Sequence, residues 1–478
     1  MNEHANDFEA LPNLAARRLG GMVLDANDEF FAPKESLLKP EPPVFDPDRY
    51  TDRGKEMDGW ETRRRRTPGH DWAVVRLGVP GIVRGVVVDT SFFRGNYPDR
   101  CSLEATASED LAVADWFELL PEQPLEGDAR NAFAVDSPLR VTHVRLNIFP
   151  DGGVARLRVH GEPLPDLRRV VDAGGRGDLA ATLAGGLVLD ASDRFFSSPH
   201  NLIAPGDSDG MHDGWETRRR RGPGHDWVAI ALAAEADVER VDVDTTNFKG
   251  NYPDTCSLDV RPGSDGEWVE ALPARALGPH GRFSFPVDPA TAAEVRLNIN
   301  PDGGVARLRV LGRVTDEGWR GFGVRYLNAL ATTAFVDEVM ACCASPAWAR
   351  GLADVRPFAD FTALLEAADA VWAKLAPEER RAAFDAHPRI GNLRGSPWSQ
   401  AEQGDVASAD DVTLRALEAG NVEYEERFGH VFLINATGRS SAEMLEELRR
   451  RLANDPEAEL AEAAEQQRQI TRIRLEKL

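Results

Sequence analysis

Positive charge is in short supply along this chain. Its 56 lysines and arginines face 79 aspartates and glutamates across 478 residues, a formal net charge of -23. A surface this acidic repels phosphate backbones at long range, which disfavours general nucleic-acid or anionic-membrane binding. Cysteine is scarce too. There are four, Cys342 and Cys343 are adjacent, and no CxxC occurs, so neither a disulfide framework nor a thiolate zinc site is expected. No run approaches the ~18 apolar residues of a membrane span. The opening MNEHANDFEALPNL has no basic n-region and no apolar h-region, so no secretory leader is expected and the cytoplasm is the expected compartment. What is present is ample material for cores, 42% hydrophobic, and room for about three domains of ~150 residues.

The dominant feature is a duplication. GGMVLDANDEFF at Gly20 returns as GGLVLDASDRFF at Gly185; DGWETRRRRTPGHDW at Asp58 returns as DGWETRRRRGPGHDW at Asp213. DTSFFRGNYPDRCSLE at Asp89 returns as DTTNFKGNYPDTCSLD at Asp244, and VRLNIFPDGGVARLRV at Val144 as VRLNINPDGGVARLRV at Val295. A period this long is two tandem copies of a whole domain. Each copy reads as β: short Val- and Ile-rich segments such as WAVVRLGV and GVVVDTSFF lie between Gly, Pro, Asn and Asp turns. In NIFPDGGVARLRV a Pro-Asp-Gly-Gly turn leads into an alternating strand, with Arg156 and Arg158 on one face and Leu157 and Val159 on the other. Such patterning predicts a sandwich or jelly roll. PLPDLRRVVDAGGRGDLA, Pro163 to Ala180, reads as the linker between copies.

Four consecutive arginines in an acidic protein are local tools. In an extended strand Arg63 and Arg65 share one face, and Arg64 and Arg66 the other. An inner arginine needs partners, because a buried unpaired guanidinium is costly. An internal network with Glu61, Asp71 and Asp58 meets that need. That network is the favoured reading, and the functional alternative is a clamp on a substrate carboxylate, which the planar guanidinium fork suits. His70-Asp71, Asp89-Thr90 and Gly95-Asn96 lie close by in sequence, and a histidine beside carboxylates can serve as base, acid or metal ligand. No spacing here matches a metal signature such as HExxH.

The ordered set DGWETRRRR, GHDW, DTxxFxGNYPDxCSL and RLNIxPDGGVARLRV, present twice, resembles the allantoicase (allantoate amidinohydrolase) family over residues 14 to 313. The resemblance implies two tandem all-β jelly-roll, galactose-binding-like sandwiches, at 14–165 and 180–313. It also implies hydrolysis of allantoate to (S)-ureidoglycolate and urea. Candidates for acid or base are His70, Asp71 and Glu61, with His225, Asp226 and Glu216 in the second copy, their roles unassigned. Candidates for substrate binding are Arg63, Arg65 and Asn96, with Arg218, Arg220 and Asn251. The copies differ at Arg94/Lys249, Arg100/Thr255, Ser91/Thr246 and His143/Glu294. A site in each copy, one site where they meet, or one copy acting as scaffold all fit these differences.

After Val314 apolar residues recur at three- and four-residue spacing, as in FADFTALLEAADAVWAKL and SAEMLEELRRRL, so residues 318–478 are expected to be all-α. LAPEERRAAF and NDPEAELAEA open helices with an early proline and acidic first turns, Asp455 being the expected N-cap of the second. HPRIG, SxxEQ and YEERFGxxFLINATGRS together resemble 2-oxo-4-hydroxy-4-carboxy-5-ureidoimidazoline (OHCU) decarboxylase. That resemblance implies decarboxylation to (S)-allantoin without metal or organic cofactor, with His387 as proton donor. It implies a substrate lining of Pro388, of Ser399, Gln400, Ala401, Glu402 and Gln403, and of Phe432, Leu433, Ile434, Asn435 and Ala436. Arg427 and Arg439 are further candidates for the substrate carboxylate, or partners of Glu425 and Glu426. The resemblances together imply small-molecule substrates and homo-oligomeric assembly.

Overall fold

The computed structural model describes residues 7–263, 265–385, 387, 389, 411–436 and 439–478. It divides into a β unit through Phe322 and a helical unit from Gly323. In the first copy the strand Asp71–Asp89 is the spine. Its first half pairs antiparallel with Met22–Ala26 and Arg140–Phe149. Its second half pairs with Arg156–Pro163 and Arg130–Ala134. The register breaks between Arg76 and Gly81, where Gly78 and Pro80 turn the strand, and such a corner lets one strand serve two packed layers. Arg100–Thr106 and Phe117–Pro124 complete the sheet beyond Arg140–Phe149. Alternation does the rest: Cys101, Leu103, Ala105, Val144, Leu146 and Ile148 point into the core at 0% exposure, while Ser102, Glu104, Arg145 and Asn147 take the opposite face.

The second copy repeats this plan around Asp226–Asp244, with Arg282–Asn300 as one strand where the first copy uses two. Part of the expected linker is structured: Arg176–Asp178 adds a strand beside Arg307–Val314, so the second sheet begins inside the segment that composition marks as a connector. The copies touch directly. Arg18 of the first donates to Asp213, at 2.8 Å, and to Asn201, at 2.7 Å, of the second. His200 Nε2 donates to the Ala10 carbonyl at 2.8 Å.

Arg156 does not sit on a solvent face, as strand alternation alone suggests. It is 2% exposed and donates to the Asp58 carboxylate at 2.6 Å and to the Asp58 and Glu41 carbonyls at 2.8 and 3.0 Å. Arg307 holds Asp213 in the same way, Nη2 to Oδ2 at 2.6 Å. Arg158 reaches the carbonyls of Leu37 and Lys39. The two arginines of VARLRV therefore tie down the chain that leads into DGW.

The helical unit carries Thr332–Met340, Pro346–Ala353, Phe361–Lys374, Pro377–Asp385, Asp411–Phe428, Ser441–Arg451 and Pro456–Leu475. Asp455 caps the last helix, accepting from the Glu457 and Ala458 amides. At its centre Tyr424, Arg451 and Glu459 are fully buried. Arg451 Nε donates to Glu459 at 2.8 Å, the Tyr424 hydroxyl donates to the same carboxylate, and Arg451 Nη1 holds the Leu433 carbonyl at 2.5 Å.

Burial alone would raise the Asp58 carboxyl, but hydrogen bonds from Arg156, Lys39 and the Val44 amide bring it down from 3.8 to about 2. A carboxyl depressed on folding stabilises the native state above its unfolded value, and that contribution is lost as pH falls through the folded one. Asp58→Asn leaves Arg156 buried without its anion and is expected to cost about 3 kcal/mol at neutral pH. The difference from wild type should shrink as the pH drops from 3.8 towards 2. Urea unfolding of the whole chain, followed by tryptophan fluorescence, measures both, and a pH-independent difference would contradict the ion-pair account.

Candidate active site

The block DGWETRRRR is not a continuous strand. Only Trp60–Glu61 is paired, against Gly153–Val154, and the arginines follow in a loop. Trp60 is wholly buried and donates from its indole to the Asp28 carbonyl at 2.8 Å. Thr62 accepts at Oγ1 from the Gly152 amide, at 3.1 Å. Beyond it the alternation expected of an extended segment survives. Arg63 donates to Asp28 at 2.6 Å. Arg65 donates to Asp71 at 2.9 Å, and its amide to Asp151 at 2.8 Å. Arg64 and Arg66 are exposed. Arg218 with Asp193, at 2.7 Å, and Arg220 with Asp226 repeat the scheme. Of the expected internal partners Asp71 takes Arg65, whereas Asp58 serves Arg156 and Glu61 turns elsewhere.

Glu61 meets Asn96. The Asn96 amide donates to the Glu61 carboxylate at 2.6 Å, and the Gly153 amide donates to the Asn96 carbonyl at 2.7 Å. Since Gly153 is also the cross-strand neighbour of Glu61, the two bonds and the strand pairing close a loop of contacts. The PDGG turn makes the link possible: Gly152 has φ +143°, and a Cβ at Gly153 would lie 1.9 Å from the buried Phe93 ring. Asn251, Glu216 and Gly304 form the same link, with Asn251 to Glu216 at 2.5 Å and Gly304 to Asn251 at 2.7 Å. Burial raises the Glu61 carboxyl above the usual carboxylate range, with the Asn96 hydrogen bond opposing. A cavity of 290 Å³ opens over this pair. Phe31, Phe45 and Phe92 wall it, with Lys55 and Arg94 at its edge.

His70 lies apart from that cavity. Its ring packs on Phe149 at 4.7 Å, beside the outward face of the sheet where Arg145 and Asn147 donate to Glu104 at 2.7 and 2.9 Å. The Glu104 carboxyl would be raised by burial, but Asn147, Arg145 and the nearby His70 hold it below its ordinary range. His225 contacts Asn298 at 3.3 Å. The expected set thus separates into Glu61 with Asn96, Arg65 with Asp71, Arg63 on Asp28, and His70 on the sheet face. Sequence reasoning missed Asp28 and Asp193, although both copies retain that aspartate in DANDEFF and DASDRFF. It also missed the aromatic wall and Lys55.

In the helical unit His387 is half-buried just past Pro377–Asp385. Its Nδ1 contacts the Ala383 carbonyl at 2.9 Å. A carbonyl only accepts, so Nδ1 carries a proton. Phe432, Leu433, Ile434 and Ala436 are buried, and the Asn435 amide donates to Gln466 at 2.8 Å. Glu425 pairs with Arg389 at 2.6 Å, and Arg427 donates to the Asn454 carbonyl at 2.9 Å. Pro388, Ser399, Gln400, Ala401, Glu402 and Gln403 lie outside the described residues. Among the described residues no group of three His, Cys, Asp or Glu could hold a metal ion, and no helix is long and apolar enough to cross a membrane.

Comparison with known proteins agrees with this division. The family model described as the allantoicase repeat matches residues 12–164 and 177–315, and the one described as OHCU decarboxylase matches residues 328–476. A protein of Nocardia farcinica named "Probable allantoicase" is 52% identical over 330 residues, covering 66% of this chain and 99% of that one. Its namesake in Streptomyces coelicolor is 45% identical over 339 residues, 67% of this chain and 90% of that one. The crystal structure of allantoicase from Saccharomyces cerevisiae superposes with a TM-score of 0.55 at 33% identity, over 64% of this chain and 96% of that one. With its two matched repeats, and with an OHCU decarboxylase domain fused behind them, the chain belongs to the allantoicase family.

Proposed function

We propose that this protein is a bifunctional enzyme of urate and allantoin breakdown, with repeats at 14–165 and 180–313 and a decarboxylase domain at 318–478. The repeats hydrolyse allantoate to (S)-ureidoglycolate and urea. The helical domain decarboxylates 2-oxo-4-hydroxy-4-carboxy-5-ureidoimidazoline to (S)-allantoin. The two reactions are not consecutive, because allantoin must be opened to allantoate in between.

The Glu61–Asn96 pair beneath its cavity is the observation that carries the first activity. Allantoate bears one carboxylate and two ureido groups on a single carbon. A half-buried carboxyl whose proton affinity burial raises is suited to give up a proton. Glu61 donates that proton to the nitrogen of the departing urea as the C–N bond breaks. Water adds its oxygen to the carbon and returns a proton to Glu61. Asn96 orients the carboxyl for both transfers, and its amide suits a ureido carbonyl. In the second activity loss of CO2 leaves a carbanion delocalised into the neighbouring imine. The His387 imidazolium, protonated on both ring nitrogens, gives its Nε2 proton to one face and is left as the neutral Nδ1–H tautomer. The buried Arg451, through the Leu433 carbonyl, fixes the segment proposed to line that substrate.

Each activity should fall to its own variant in the intact chain. Glu61→Gln is expected to lower urea release from allantoate by about 100-fold or more and to spare decarboxylation. His387→Asn should do the reverse, with loss of stereospecific allantoin formation; circular dichroism of the product distinguishes (S)-allantoin from racemate. Retention of full activity in either folded variant overturns the corresponding assignment.

Glu61→Gln also carries a stability signature. A carboxyl raised on folding favours the native state at low pH and loses that contribution as pH rises through the folded value. The glutamine variant should therefore melt higher than wild type at pH 7 and no higher at pH 4, by differential scanning calorimetry. Equal melting at both would show that burial of Glu61 carries no such penalty.

A further inference from the structure

The two copies differ most in the segment that leads into DGW. Residues 39–57 connect Leu38 to Asp58 in the first copy, whereas residues 204–212 connect Ile203 to Asp213 in the second. The longer segment folds back as a short hairpin, Tyr50–Thr51 against Gly54–Lys55. It supplies Phe45, Gly54, Lys55 and Met57 to the wall of the Glu61 cavity. The second copy has no counterpart to the hairpin or to Phe45 and Lys55, and only Met211, against Asn251 at 3.8 Å, takes the place of Met57.

Lys55 is the unusual member. Its ammonium lies over the Phe45 ring at 4.9 Å and the Tyr50 ring at 5.8 Å. It pairs with no carboxylate among the described residues. The other cations near the site are committed: Arg63 to Asp28, Arg65 to Asp71, and Arg94 to Asp128 at 2.9 Å. Glu61 takes its hydrogen bond from the neutral Asn96 amide. Aromatic faces orient a cation without pairing it to an anion, which leaves Lys55 placed to meet an incoming carboxylate. Arg63 and Arg65, the arginines named for a carboxylate clamp, are paired with Asp28 and Asp71 in holding the loop.

We infer that the first copy carries the allantoate site and that Lys55 is the residue that receives the substrate carboxylate, opposite the Glu61–Asn96 pair that handles the departing ureido group. This deepens the proposed hydrolysis and rests on that reading. It also answers the choice left by the duplication: the second copy has the Glu216–Asn251 pair but lacks the insertion that completes the pocket.

Steady-state kinetics on allantoate with the full-length chain tests this. Lys55→Met keeps the aliphatic packing and removes the charge. It is expected to raise KM at least roughly thirty-fold, the scale of leaving a bound charge unpaired, with a smaller change in kcat. Lys55→Arg should recover most of the loss. Lys249→Met, which removes the cation of the second copy that matches Arg94, should stay within about threefold of wild type, since rim charges contribute little. Wild-type KM in a folded Lys55→Met protein overturns the inference, as does a loss at Lys249→Met equal to that at Lys55→Met. If Glu61→Gln abolishes hydrolysis while Lys55→Met does not, the Glu61 site stands and only the role of Lys55 falls. If Glu61→Gln is fully active, the site itself is misplaced.

Discussion

The geometry of the candidate allantoate site depends on a half-buried carboxylate held by a buried arginine. Arg156 fixes Asp58, and Asp58 fixes the entry to DGW. With that end set, Trp60 drops into the core and holds the Asp28 carbonyl, Glu61 pairs with Gly153, and Thr62 ties to Gly152. An ion pair so enclosed adds little net stability, because desolvation offsets most of its attraction, yet removing one partner is expensive. Such a pair therefore selects one geometry over its neighbours. The second copy keeps the same arrangement through Arg307 and Asp213.

The arginine run then follows from local charge matching in an acidic protein. Every second arginine finds an aspartate contributed by another loop. Asp28, Asp71 and Asp151 thereby become the staples that hold three loops together at one end of the sandwich. The alternate arginines remain in solvent, where a guanidinium is well hydrated. The neighbouring Glu61 carboxyl meets the neutral Asn96 amide instead of an arginine, and burial raises its proton affinity.

The duplicated β architecture and the helical tail were legible because they rest on local signals: turn chemistry, period-two alternation, and capped helices such as the one at Asp455. The site was only half legible. Glu61 and Asn96 were named as candidates, but their direct bond joins residues 35 apart. Arg156 and Asp58 are 98 apart, and nothing local distinguishes Arg156 from a solvent-facing strand residue. Residues 39–57 carry loop composition, so the pocket wall they build left no periodic trace. His70 adjoins Asp71 in sequence, but Asp71 meets Arg65 while the His70 ring packs on Phe149, and neither lines the cavity over Glu61. In the helical unit Arg451 and Glu459 sit within charged runs that read as solvated surface, and only tertiary packing buries them.

The contact between Arg18 and Asp213 makes the duplication directional. In the first copy Lys39, from the same copy, fills the second binding position on the DGW aspartate, at 2.6 Å. In the second copy that position is filled at 2.8 Å by Arg18, which belongs to the first. The first repeat is thus electrostatically complete at this point, and the second is completed only by its predecessor. Two sequences that look interchangeable on paper are therefore ordered, one as host and one as dependent, and their sequence along the chain is itself part of the fold.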